Sequence, residues 1–148
     1  MAKLDKKEVI TQLDKLLEAE LSGVVRYLHY SFMIVGPNRI PITKWFRDHA
    51  MEGMTHAVTI GEKITALGGH CSVKVKPVPE SNKHTVLEML TESLEYERET
   101  LTLYYALLDK TNGDIPLEEL TRKLIAEETT HVEEVEKMIR VAGPKKGE

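Results

Sequence analysis

Residues 126–131 read Ala-Glu-Glu-Thr-Thr-His, and residues 51–56 read Met-Glu-Gly-Met-Thr-His. In the first stretch Glu128 and His131 stand three residues apart. On a helix that spacing puts both side chains on one face, where a carboxylate and an imidazole can grip one metal ion. The second stretch has His56 at the matching place but Gly53 where the carboxylate belongs. Each copy has an upstream partner. Glu20 is followed seven residues later by Tyr27, and Glu97 seven residues later by Tyr104. The chain therefore reads as two helical hairpins that each offer ligands to a shared centre.

The periodicity around these residues predicts four helices. The first runs from about Asp5 to Val35 on a stripe of Ile10, Leu13, Leu17, Leu21, Val24, Leu28 and Ser31, and Gly36-Pro37-Asn38 stops it. The second, from about Ile40 to Leu67, carries Ile42, Phe46, His49, Gly53, His56, Ile60, Ile64 and Leu67, and ends at Gly68-Gly69. The third opens near Ser81 as N-cap and reaches about Lys110 through Leu87, Leu90, Leu94, Glu97, Leu101, Tyr104 and Leu108. The fourth has Pro116 near its start and Leu120, Leu124, Glu128, His131, Val135 and Met138 on its stripe, with a stop expected at about Ala142 before Gly143-Pro144.

The connections set the topology. Short links make the first and last pairs antiparallel hairpins. Residues 68–80 alternate and contain two prolines, as an extended run would. A second helix of ~28 residues is ~42 Å long. Thirteen extended residues reach ~43–47 Å at most, just enough to cross the bundle. The expected fold is all-α: a four-helix bundle, one domain over residues 1–148, with a single long crossover between the second and third helices.

On those stripes Glu20, His56, Glu97, Glu128 and His131 all face inward. A buried carboxylate without a partner costs several kcal/mol or takes up a proton. Three carboxylates and two imidazoles meeting in a core are best reconciled by a bound cation. Oxygen and nitrogen donors suit iron, manganese or zinc, and no cysteine on the stripes offers a thiolate.

These residues resemble the ferritin-like superfamily of di-iron carboxylate proteins, and within it the bacterioferritins and small bacterial ferritin-like proteins. The resemblance spans nearly the whole chain. It implies two irons bridged by the Glu-x-x-His carboxylates, with Glu20 and Glu97 as terminal ligands and His56, Glu128 and His131 completing the set. It implies catalytic roles for Glu20, Glu97 and Glu128 in oxidising Fe(II) with dioxygen or peroxide, often with storage of ferric mineral in a hollow homo-oligomer. Met54 stands where bacterioferritins place a methionine that ligates a haem between two subunits, although a lone methionine on a helix usually serves packing. The chain departs from the family at Gly53, which removes a bridging carboxylate and costs roughly 1 kcal/mol relative to alanine within a helix. Glu52, ~100° around the helix, is a poor substitute, whereas His49 lies one turn away on the same face and could lend a nitrogen or merely fill space. Weakened binding of a second ion and slowed oxidation are expected. Ferritins that build 24-subunit shells usually carry a short fifth helix, and only Gly143-Pro144-Lys145-Lys146-Gly147-Glu148 follows the last helix here, so the resemblance implies a large shell less firmly than it implies the fold.

Composition bounds the alternatives. The formal net charge of −4, without a basic block, gives no support for nucleic-acid binding or DNA protection. No apolar run suggests a signal peptide or a membrane span, and Cys71 has no partner for an internal disulfide, which fits a cytoplasmic protein. Two other functions fit the residues: a rubrerythrin-like peroxide scavenger, against which the missing four-cysteine rubredoxin-type module argues, and a metal-binding assembly protein without turnover. The hydroxyls of Tyr27 and Tyr104 could bond to ligands or pass electrons, and ordinary core packing is equally consistent.

Overall fold

The computed structural model describes residues 3–141. Its four helices are α1 (Lys6–Met33), α2 (Arg39–Ala66), α3 (Val86–Leu108) and α4 (Ile115–Ile139). α1 packs along α2, α3 along α4, and α1 against α3, giving a four-helix bundle with one long crossover after α2. The expected stop at Ala142 and the tail after it lie outside the described residues.

Local chemistry sets the helix ends. Asp5 accepts from the Glu8 N–H at 3.1 Å, and Asp114 accepts from the Leu117 N–H at 3.0 Å, so α1 and α4 each start on a carboxylate cap. α2 ends in a Schellman turn. Gly68 takes φ +86°, its N–H bonds Thr65 O at 3.0 Å, and the Gly69 N–H bonds Ile64 O at 2.9 Å.

The third helix corrects the sequence reading. Ser81 is not its N-cap. Thr85 is, in a capping box with Glu88, and α3 begins at Val86. Asn82 at φ +58° breaks any helix begun earlier, and the Ser81 hydroxyl bonds Glu92 instead. The crossover therefore runs on to residue 85. It is tied to α1 by Ser72 N–H to Asp14 Oδ1 (2.9 Å) and Lys76 N–H to Glu18 O (3.2 Å).

Two stripe positions also differ. Leu28 is 36% exposed and Leu87 58% exposed. The inward row of α1 instead passes through Gly23, Tyr27 and Tyr30. Leu28, with Val25 and Phe32, is part of an exposed apolar surface that the apolar pattern alone could not separate from the core row.

The interior divides into two apolar clusters. One gathers Leu13, Leu16, Ile60, Ile64, Tyr104, Leu107, Leu117 and Leu124. The other gathers Tyr27, Tyr30, Ile34, Phe46, Met89, Leu90 and Val135. Along every helix the inward ionisable residues fall between the two. The polar centre is thus closed at both ends by apolar packing, which lowers the local dielectric and strengthens each electrostatic contact inside.

Candidate metal centre

Each helix delivers at least one ionisable group to this gap: Glu20 from α1, His56 from α2, Glu97 from α3, and Glu128 with His131 from α4. None of the five is more than 9% exposed. His56 Nδ1 lies 3.0 Å from Glu128 Oε1 and 3.5 Å from Glu20 Oε2. His131 Nδ1 lies 3.8 Å from Glu128 Oε2. Donor atoms of Glu20, His56 and Glu128 fall within 4.8 Å of one another, as do those of Glu97, Glu128 and His131. Glu128 belongs to both triads, so the arrangement offers two adjacent ion positions with one shared carboxylate.

The contacts are close without being satisfied. His56 Nδ1 and Glu128 Oε2 are shielded from solvent and make no aligned hydrogen bond. Orphaned buried polar atoms are rare because each costs about 1–3 kcal/mol. A cation at this point would meet both.

The outward atoms of the same groups are firmly held. Tyr104 donates to Glu20 Oε1 at 2.9 Å, and the Tyr27 hydroxyl donates to Glu97. His56 Nε2 pairs with Glu127 Oε2 at 2.7 Å, and His131 Nε2 with Glu52 Oε2 at 2.8 Å. A carboxylate on Nε2 fixes the tautomer that leaves Nδ1 free for a metal.

Electrostatics follow from burial and crowding. Burial raises the Glu20 carboxyl to about 7, with the Glu128 charge adding to it and the nearby His56 imidazole and the Tyr104 hydrogen bond opposing. Burial and the Glu128 charge push Glu97 well above the usual carboxylate range. Glu128 goes the other way: burial would raise it, but the adjacent His131 and His56 imidazoles hold it below its ordinary value. For His56, burial is outweighed by Glu128 and Glu20, and its pKa rises to about 11. His131 is likewise raised against burial by Glu128 and Glu52. Without an ion the centre thus holds protons in place of metal charge.

Gly53 faces the same space. A Cβ there would meet Glu20 O and Val24 Cγ2 at 3.4 Å and Glu20 Oε2 at 3.7 Å, which are ordinary contacts. Packing therefore does not demand glycine at this position. Nearby, the His49 ring lies tilted against Trp45 with centroids 3.9 Å apart, and its Nδ1 contacts Trp45 O at 2.9 Å. Its Nε2 is buried without a hydrogen bond, and its ring centroid is 4.9 Å from that of His131. Met54 lies elsewhere: it is 43% exposed, on a surface patch with Met51 and Val58.

Sequence reasoning missed the supports Glu52 and Glu127. The signal was present, since each stands four residues before a histidine in the two repeated stretches. Read along its own helix, Glu52 suggests only a replacement ligand. Its contact runs to the histidine of the other hairpin, which one helix considered alone does not reveal.

A family model described as the ferritin-like domain matches residues 10–142, and the chain belongs to that family. Among solved structures, it is similar to ferritin-like, diiron-carboxylate proteins from Bacillus anthracis str. Ames, at 27% identity and a TM-score of 0.86, covering 95% of this chain and 100% of that one. Bacterioferritin from Rhodobacter capsulatus, described with a metal-free dinuclear site and haem iron, is 27% identical, with a TM-score of 0.80 over 90% of this chain and 84% of that one. A dodecameric thioferritin, the bacterioferritin-related protein from Bacteroides fragilis, shares the fold at 24% identity and a TM-score of 0.82, covering 91% of this chain and 86% of that one. No curated protein sequence matches the chain. Among the described residues, no helix is long and apolar enough to cross a membrane.

Proposed function

We propose that this protein takes up Fe(II) as substrate between Glu20, His56, Glu97, Glu128 and His131 and oxidises it with dioxygen or peroxide. The observation that carries the reading is Glu128, a buried carboxylate shared by two ligand triads and left with an orphaned oxygen. Two Fe(II) supply two electrons, which with two protons reduce dioxygen to peroxide, or peroxide to water. The protein's part is to hold and position. Glu20, Glu97 and the two imidazoles release protons as the ions enter, and the carboxylates then balance the growing positive charge. The imidazoles present Nδ1, and the Tyr104 and Tyr27 hydroxyls keep the carboxylates from turning away. Ferric product held within a homo-oligomer, in the cytoplasm, extends the same reading to storage or detoxification.

Gly53 specifically favours a second reading. It leaves the pair of ions one shared carboxylate short, so the chain could bind metal without useful turnover. Anaerobic Fe(II) titration followed by stopped-flow mixing with dioxygen or peroxide separates the two. Rapid oxidation that is lost in Glu128→Ala supports the enzyme, and whichever oxidant is faster is the working one. Stoichiometric binding without oxidation above the background rate leaves only the binding protein. Haem is not part of this proposal, because a lone exposed methionine is not by itself a haem site. A Soret band in purified protein that is lost in Met54→Ala would require adding it.

A further inference from the structure

A separate cluster lies where the crossover ends. His29 comes from the C-terminal part of α1, Glu80 and His84 from the last stretch before α3. Glu80 Oε2 is 2.5 Å from His29 Nε2, and its Oε1 is 3.1 Å from His84 Nε2. The two rings meet edge to face with centroids 5.3 Å apart. One donor atom from each of the three residues falls within 4.8 Å of the others.

The turn that gathers them is well defined. Asn82 adopts φ +58°, its N–H bonds Glu80 Oε1 at 2.8 Å, and the Lys83 N–H bonds the Ser81 hydroxyl at 3.3 Å. His84 is thereby folded back onto Glu80 one residue before the Thr85 cap. The Asn82 N–H, together with His29 and His84, holds the Glu80 carboxyl below its ordinary pKa.

The nitrogens themselves are unsatisfied. Both Nε2 atoms are shielded from solvent, and neither makes an aligned hydrogen bond. A simple ion pair would point an N–H at the carboxylate. Two imidazole nitrogens and one carboxylate oxygen suit a divalent first-row transition ion, whereas magnesium and calcium prefer oxygen donors.

We propose that His29, Glu80 and His84 form a second metal site, distinct from the bundle centre, for one divalent transition ion of the zinc or iron(II) type. Nε2 of each histidine and one Glu80 oxygen are the protein ligands, and water completes the coordination. The ion clips the end of the crossover to α1.

Zinc is the probe. Crystals of the full chain soaked in Zn2+ should give anomalous density among the three side chains as well as in the bundle. In His84→Ala the outer density should vanish and the bundle density persist, with calorimetry showing one fewer Zn2+ per chain. Glu80→Gln, a near-isosteric change at a partly exposed position, gives a second arm in case His84→Ala does not fold. It should weaken the outer site at least tenfold, as loss of a charged ligand implies. No density at the triad under loading that fills the bundle, or unchanged stoichiometry and affinity in both variants, overturns the proposal.

Discussion

Tyr104 on α3 donates a 2.9 Å hydrogen bond to Glu20 on α1, and Tyr27 on α1 returns the arrangement by donating to Glu97 on α3. Seven residues separate tyrosine from glutamate in each helix. Each hydroxyl therefore serves the opposite helix's carboxylate.

Removing one hydroxyl tests what it does. The Tyr104 bond lowers a Glu20 pKa that burial has raised to about 7. In Tyr104→Phe that carboxyl should hold its proton more tightly. Zinc affinity at pH 7 should fall by roughly 10–100-fold, and much of the loss should be recovered at pH 8. A variant that binds like the parent at both pH values would show that the ring only packs.

Gly53→Glu should restore the missing shared carboxylate. Ordinary Cβ contacts leave room for the side chain to start. The metal-free variant should be less stable, because another carboxylate is buried without a partner. Loaded with metal it should bind ions more tightly and oxidise Fe(II) faster. Gly53→Ala is the control: it should gain up to ~1 kcal/mol from helix propensity and bind no better. Parallel denaturant melts and iron titrations decide it, and equal behaviour of the two variants would sink the idea.

Glu52→Gln and Glu127→Gln should each weaken metal binding by about 10–100-fold while leaving the fold intact, because each carboxylate orients the imidazole of a proposed ligand. Circular dichroism checks the fold, and competition titration reads the affinity. Loss confined to one of the two variants would show that the two supports are not equivalent.

The metal-free protein should gain stability on acidification from pH 8 to 6.5. Folded His56 keeps its proton up to about 11, whereas the unfolded residue loses it near 6.5. Folded Glu20 is still partly protonated up to about 7, whereas the unfolded residue is ionised above about 4.5. In this window the native state binds more protons than the unfolded state, so stability falls as pH rises, by up to ~1.4 kcal/mol per pH unit for each proton held. Below 6.5, His49 opposes the trend, since burial lowers its pKa and the unfolded state then binds the extra proton. Urea melts of chelated protein across this range provide the check. A flat or rising profile between pH 6.5 and 8 contradicts it.

Gly23→Ala should destabilise the chain by about 1–3 kcal/mol, as overpacking does. A Cβ there would overlap the Tyr96 hydroxyl, which donates to Ala19 O at 2.7 Å. A melting temperature equal to the parent's would mean that Tyr96 moves aside freely.

The bundle and the five inward groups were legible because a 3.6-residue period repeats over four long segments and the same motif occurs twice. Leu28 and Leu87 were misplaced because apolar residues also stand on the outside, and periodicity does not separate a core row from an exposed apolar row. The start of α3 was misplaced because Ser81 and Thr85 are both good caps. The capping-box pattern Thr85-Val86-Leu87-Glu88 favours the second, and the Glu88 reciprocal bond and the turn at Asn82 carry it out. His29, Glu80 and His84 could not be grouped in advance, since their meeting depends on how the crossover lies against α1.

Every support in the centre crosses the chain's midpoint. Tyr27 and Glu52 steady groups contributed after the crossover, and Tyr104 and Glu127 steady groups contributed before it. A chain nicked near Val78 would therefore leave each fragment with acids and imidazoles but without the hands that aim them. Metal uptake would reappear only when the two fragments re-embrace, making it a direct readout of their reunion.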